Sequence, residues 1–238
     1  MITVDFTRLK TAPGDRILDI GCGSGRHTAE AYRQHRVHVI GADLILKNLK
    51  MARQRLVFHD RLGEHGGGTW SLAASDVTAL PFSDDCFEMV ICSEVLEHIP
   101  DHEQAMREIV RVLKPGQPLV VSVPRYFPER ICWMLSGDYV DANQGHVRIY
   151  NKKALIGLLE EAGTRLFALH YAHSIHSPYW WLKCLLGPSR TDSTTVNLYH
   201  RLLAWDIMKK PMLTRFIDRL LNPLLGKSLV MYMRKTGG

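Results

Sequence analysis

At 238 residues, with 46% hydrophobic and 23% charged side chains, the chain is long enough to bury one sizeable core and has an ordinary globular composition, which excludes a disordered or fibrous protein. Residues 1–10 carry Asp5, Arg8 and Lys10 rather than a signal-peptide core, no stretch reaches the ~18 uninterrupted apolar residues of a membrane span, and the five cysteines show no C-x-x-C spacing. A soluble cytoplasmic protein with reduced thiols is expected, and the net charge of +6 is unevenly held: residues 1–120 carry 14 Lys+Arg against 16 Asp+Glu, residues 121–238 carry 16 against 8. That basic half suits solvated helix faces first, and a phosphorylated substrate, an anionic membrane surface or RNA second.

In chain order, residues 4–10 read as a short helix or turn and Pro13-Gly14-Asp15 as the turn into a first strand, 16–20. The strand breaks into Gly21, Gly23 and Gly25, after which 26–35 reads as a helix without internal Gly or Pro. In such a unit the glycines let the backbone turn tightly and approach a ligand, and the helix start offers unpaired N–H groups, so a nucleotide-like ligand is expected. The spacing departs from the dinucleotide fingerprint G-x-G-x-x-G, because Arg26 stands at the third glycine position. Asp19, ahead of the first glycine, would repel a pyrophosphate but could accept from an ammonium group. A second strand, 37–42, ends at Asp43, about 20 residues beyond the first glycine, where an acid grips ribose hydroxyls. Adenosine joined to an amino acid end is the economical ligand.

Residues 44–58 then read as a long helix, 63–68 as a polar glycine-rich loop, 71–74 as a third strand leading to Asp76, and 87–92 as a buried strand whose end carries the densest polar cluster of the chain. Residues 105–113 follow as a helix stopped by Lys114-Pro115-Gly116, 119–123 as a fifth strand, 152–162 as a helix capped by Asn151, and 165–170 as a sixth strand. Strands alternating with helices over this length argue a doubly wound α/β fold with a mostly parallel sheet.

Several motifs in fixed order carry a resemblance. LDIGCGSG at 18–25, Asp43, AASDVTALPF at 73–82, ICSEVLEHIPD at 91–101 and LKPGQPLVVSVP at 113–124 resemble five ordered motifs of the class I S-adenosylmethionine-dependent methyltransferases, methyltransferase-11 type subgroup. The resemblance spans roughly residues 5–165 and, more loosely, the last strand; Gln117-Pro118 departs from it where the family usually has a second glycine. It implies a seven-stranded Rossmann-like sheet whose closing strand, 228–233, is antiparallel, and S-adenosylmethionine as cofactor with S-adenosylhomocysteine as product. It also implies a binding set: Asp43 for the ribose hydroxyls, the backbone of Gly21, Cys22, Gly23 and Gly25 for the methionine portion, Asp19 for its amino group, Asp76 and Val77 for adenine, with Leu44 and Ser93 alongside.

Methyl transfer from a sulfonium needs no covalent enzyme intermediate; the protein must exclude water, align the acceptor and, for a hydroxyl, remove its proton. A histidine suits that near neutral pH, and the candidates are His98, in the fourth-strand motif, and His146, in the loop GHVRIY that in similar enzymes lines the acceptor side. Glu94, Glu97 and His98 form E-x-x-E-H and with His146 resemble the divalent-metal sites of some similar methyltransferases, such as small-RNA 2′-O and polyprenyl-catechol enzymes. E-H-I in this place is also common in relatives that use no metal, so a divalent ion is the secondary reading and no metal ligand is assigned.

The whole of 1–238 reads as one methyltransferase domain, with a helical insertion at 174–227 before the last strand. The insertion opens with Pro178-Tyr179-Trp180-Trp181-Leu182 and continues in two amphipathic helices, 198–208 and 213–221, flanked by Lys209, Lys210, Arg215 and Arg219. A cap that shapes the acceptor pocket is favoured, with peripheral membrane contact through 178–221 as the alternative. The function expected is O-methylation of a small or lipid-linked acceptor. A tRNA or other RNA methyltransferase is the alternative, set behind because no RNA-binding module accompanies the basic half, and a non-catalytic S-adenosylmethionine-binding protein comes third.

Overall fold

The computed structural model describes residues 2–34, 36–137, 139, 146–187, 193–209 and 211–237. His35 at the end of the expected first helix, Gly145 of the GHVRIY loop, residues 188–192 of the expected insertion and Lys210 lie outside the described residues.

One seven-stranded sheet is built from β1 (Arg16–Ile20), β2 (His38–Asp43), β3 (Thr69–Ala74), β4 (Met89–Ser93), β5 (Pro118–Pro124), β6 (Thr164–Ala172) and β7 (Ser228–Lys235), in the order β3-β2-β1-β4-β5-β7-β6. Strands β1 to β5 pair in parallel, and β7 runs antiparallel between β5 and β6, as the resemblance implied. The described helices are α1 (Arg26–Gln34), α2 (Leu46–Arg61), α3 (His102–Val112), α4 (Tyr126–Leu135), α5 (Lys152–Glu161), α6 (Ser177–Leu186), α7 (Thr194–Lys209) and α8 (Met212–Leu225).

The period-two alternation of the strands divides the core into two layers. Leu18, Val90, Val121 and Met231 meet Met106 and Ile109 of α3 and Leu155 and Leu159 of α5 on one face. Their chain neighbours Ile17, Ile91, Val120 and Tyr232 meet Ala29 and Tyr32 of α1 and Leu56 of α2 on the other. Strands buried on both faces read as continuous apolar runs, which is why β4 and β5 stand out in the sequence.

Side-chain caps move several boundaries. The helix expected from residue 44 starts at Leu46, because the Asp43 carboxylate accepts the Ile45 N–H at 2.8 Å and holds 44–45 as a turn. Helix α3 starts at His102, three residues early, where Asp101 accepts the Gln104 N–H at 3.0 Å. Helix α4 has no counterpart in the sequence reading. The rings at the start of the expected insertion pack inward: Tyr179 is buried, and Trp181 donates its indole N–H to the Pro128 carbonyl at 3.0 Å.

Two consequences position the site. Strand order reverses between β1 and β4, which opens a crevice beyond their carboxyl ends. The connection from β6 to β7, which holds α6 to α8, leaves the sheet at the same edge, because β6 runs in the direction of β5.

Candidate active site

A cavity of about 490 Å³ lies at the carboxyl ends of β1, β2 and β4, and Gly21, Cys22, Gly23, Asp43, Leu44, Asp76, Val77 and Ser93 all line it. Asp19 and Gly25 do not; they stand behind its wall. Gly21 has φ +62°, and a Cβ there would lie 2.3 Å from Val95 Cγ2, so only glycine permits this turn. Gly25, at φ +72°, would place a Cβ 2.9 Å from Ala52 Cβ, so the glycine lets α1 approach α2.

Asp43 ties the first two loops together. Its Oδ2 accepts the Gly23 N–H at 2.8 Å, its Oδ1 accepts the Ile45 N–H at 2.8 Å, and Asn48 Nδ2 donates to it at 3.2 Å. A carboxylate has about four acceptor sites, so these donors leave capacity for a hydroxyl in the cavity. Beside it, Leu44 and Ile45 are 68% and 55% exposed and line the cavity, an apolar shelf for a flat ring. Asp76 accepts the Thr78 N–H at 2.8 Å and the Thr78 hydroxyl at 2.7 Å, and these bonds hold its carboxyl below the usual range.

Asp19 is fully buried beneath the glycine turn, where Thr28 Oγ1 donates to it at 2.6 Å. Burial pushes its carboxyl up to about 7, and the neighbouring Asp43 charge adds to the rise. Two acids under one turn make the floor of the cavity favourable to a cation.

The polar cluster after β4 forms the opposite wall. Glu94 lines the cavity with φ +57°, a conformation rare outside glycine, and is fixed by its own N–H on the Ser122 carbonyl at 2.8 Å and by the Ser122 hydroxyl on its carboxylate at 3.1 Å. His98 lines the cavity as well, whereas His146 stands against it, the two rings 4.6 Å apart between centroids. His146 Nδ1 is 2.9 Å from Glu129 Oε1, and Glu129 also accepts from Trp133 Nε1 and the Tyr139 hydroxyl, both at 3.3 Å. Burial alone would raise the Glu129 carboxyl, but the His146 bond and the Lys227 charge hold it below the usual range, so it is ionised.

Glu97 is 1% exposed, and neither of its carboxylate oxygens has a hydrogen-bond partner among the described residues. Burial, then the neighbouring Glu94, pushes its carboxyl well above the ordinary range. Ligand atoms of Glu97, His98 and His146 all lie within 4.8 Å of one another, and one carboxylate with two imidazoles is a donor set that fits a divalent ion. Glu129 and Asn48 escaped the sequence reading. The one local signal near Glu129 was Pro128, in the first turn of α4, and Asn48 lies in the first turn of α2, five residues past Asp43.

Residues 18–121, which run from within β1 through the glycine turn, Asp43 and the β4 cluster into β5, match the family model described as a methyltransferase domain. Over these residues the chain matches the class I S-adenosylmethionine-dependent methyltransferases. Within that family it is 30% identical over 115 residues to O-methyltransferase rstn1 of Aspergillus nomiae, covering 48% of this chain and 49% of that protein. It is 37% identical over 112 residues to the ubiquinone/menaquinone biosynthesis C-methyltransferase UbiE of Vibrio campbellii, covering 46% of this chain and 41% of that one. The chain thus spans less than half the length of these curated relatives. The fold also matches Haemonchus contortus phosphoethanolamine N-methyltransferase 2 in complex with S-adenosylmethionine, with a TM-score of 0.60 at 18% identity over 98% of this chain and 51% of that one.

Proposed function

We propose that the chain transfers the methyl group of S-adenosylmethionine to a hydroxyl oxygen of a small or lipid-linked acceptor, with His98 as base. The observation that carries this reading is that His98 lines the cofactor cavity in ring contact with His146, whose Nδ1 is held by the ionised Glu129. S-adenosylmethionine brings a methyl group already activated on sulfur. His98 would take the proton of the acceptor hydroxyl as its oxygen receives the methyl group that S-adenosylmethionine supplies, with S-adenosylhomocysteine and the O-methyl compound as products. His146 and Glu129 are positioning residues: they fix the ring beside His98 and stabilise the positive charge that forms there.

The cofactor's parts match the cavity. Asp43 suits the ribose hydroxyls, Leu44 and Ile45 the adenine face with Asp76 and Val77 at its edge, and the Gly21 and Gly23 backbone the methionine portion. Asp19 favours the sulfonium and ammonium charges through its field. Helices α6 to α8, at the same edge of the sheet, cap the acceptor side and exclude water. That one relative is named an O-methyltransferase supports oxygen as the target. Titration calorimetry with S-adenosylmethionine tests the assignment: Asp43→Ala should abolish binding, whereas His98→Ala should spare it and lose turnover. Loss of binding in His98→Ala would contradict the role given to that side chain.

A further inference from the structure

An ordinary helix of a folded domain turns its apolar stripe to the core, whereas helix α8 leaves a broad apolar side exposed. The side of α8 that meets the protein is mixed, with half-buried Ile217, Leu221 and Leu225 set among polar anchors. Asp218 Oδ1 accepts from the Ser174 hydroxyl at 2.7 Å, Asn222 Oδ1 accepts the Ser174 N–H at 3.0 Å, and the Leu225 carbonyl accepts from the Ser177 hydroxyl at 2.6 Å. The outward side is apolar: Met212, Phe216, Leu220 and Leu224, four residues apart, are 89%, 65%, 65% and 67% exposed, and no residue of the helix is buried. Helix α7 adds exposed Leu198, Leu202, Trp205 and Met208 at helical spacing. Since α8 is anchored by its other side, this exposed apolar side is free for another surface.

The charges on the two helices say which surface. Both acids turn inward: Asp206 is buried and accepts from the Thr214 hydroxyl, and Asp218 is engaged with Ser174. Every exposed charge on α7 and α8 is basic: Arg201, Lys209, Arg215 and Arg219. A second copy of the chain seated on this face would oppose basic residues to basic residues. A bilayer with anionic headgroups answers both features at once, taking the apolar side chains into the boundary of the acyl region and the cations at the phosphates. No described helix is long and apolar enough to cross a membrane, so the contact is in the plane of the interface.

We infer that the outward face of α7 and α8 binds the surface of an anionic lipid bilayer, with α8 lying flat in the interface. The inference stands whichever acceptor the active site takes, and it would bring the cavity edge of the sheet to a membrane-borne acceptor.

Flotation of the full chain with vesicles tests it. Binding is expected to vesicles of phosphatidylcholine containing a third phosphatidylglycerol and to be much weaker with phosphatidylcholine alone. Lys209→Gln and Arg219→Gln should each weaken binding about fivefold. Phe216→Glu with Leu220→Glu should abolish it while S-adenosylmethionine affinity and melting temperature stay unchanged, since both side chains are exposed and neither lines the cavity. Failure to float with either vesicle would overturn the inference, as would binding indifferent to the Phe216 and Leu220 changes. Light scattering that showed a dimer broken by Phe216→Glu, without vesicle binding, would assign the face to a second copy instead.

Discussion

His146 Nδ1 lies 2.9 Å from Glu129 Oε1, which joins a helix absent from the sequence reading to the histidine that touches the cofactor wall. The carboxylate holds one ring nitrogen of a histidine whose ring packs edge-on against His98, 4.6 Å between centroids, an arrangement that orients a base and supports the charge it acquires.

Removing the base should therefore separate chemistry from binding. His98→Ala is expected to lower kcat by about 10²-fold or more. Glu129→Gln, which keeps the shape but loses the charge, should lower it by about tenfold at unchanged cofactor affinity. Steady-state kinetics beside calorimetry reads both. A Glu129→Gln enzyme with full turnover would leave Glu129 a packing residue only.

The glycine turn offers a graded test of geometry. Gly21→Ala combines a left-handed backbone with a Cβ 2.3 Å from Val95 Cγ2 and should cost about 2–4 kcal/mol in urea denaturation. Gly23→Ala meets nothing nearer than the Gly21 carbonyl at 4.0 Å, so it should cost only the ~1–2 kcal/mol of the backbone strain. Equal costs would mean that the contact with Val95 is not what excludes a side chain at Gly21.

Asp19 gives the stability of the free protein a pH dependence of defined sign. Its folded value, about 7, exceeds the ordinary 3.8, so its contribution is fully present below 3.8 and is lost as pH rises to about 7. Asp19→Asn mimics the protonated form and keeps an acceptor for Thr28. Relative to the unmodified chain it should gain stability steadily between those pH values, up to about 4 kcal/mol, when unfolding is followed in urea. A difference between the two proteins that does not change with pH would show that Asp19 is ionised throughout.

Glu97, His98 and His146 could receive a divalent ion, but as proton-handling groups they need none. Turnover after treatment with EDTA and desalting should match that before it, and added Mg²⁺, Mn²⁺ or Zn²⁺ should not raise it. Loss on chelation with recovery by one ion would transfer the role of the histidines from base to ligand.

The sheet was legible because parallel strands buried on both faces are continuous apolar runs, and each of the first two carries a carboxylate at its end, Asp43 as the last residue of β2 and Asp19 as the last but one of β1. The resemblance added the antiparallel β7, which no local pattern distinguishes from a parallel strand. What the sequence hid was made by contacts across the chain. Helix α4 carries Pro128 and three aromatic rings, a composition that gives no clean helical period. Glu129 gains its meaning only from His146, 17 residues on. For α8 the period was visible, but its apolar stripe reads as a core face until Asp218 and Asn222 are seen to do the anchoring. That Asp19 would be buried beneath the turn was equally hidden, since Thr28, in the first turn of α1, reaches its carboxylate only in the folded chain.

The most direct test is transfer of label from methyl-labelled S-adenosylmethionine into an extract of the source cells, separated into lipid, polar small-molecule and RNA pools, with Asp43→Ala as the blank. Label in the lipid or small-molecule pool, held as an O-methyl group and absent from the blank, is the predicted result. Label confined to RNA, or no label above the blank, would contradict O-methylation of a small or lipid-linked acceptor.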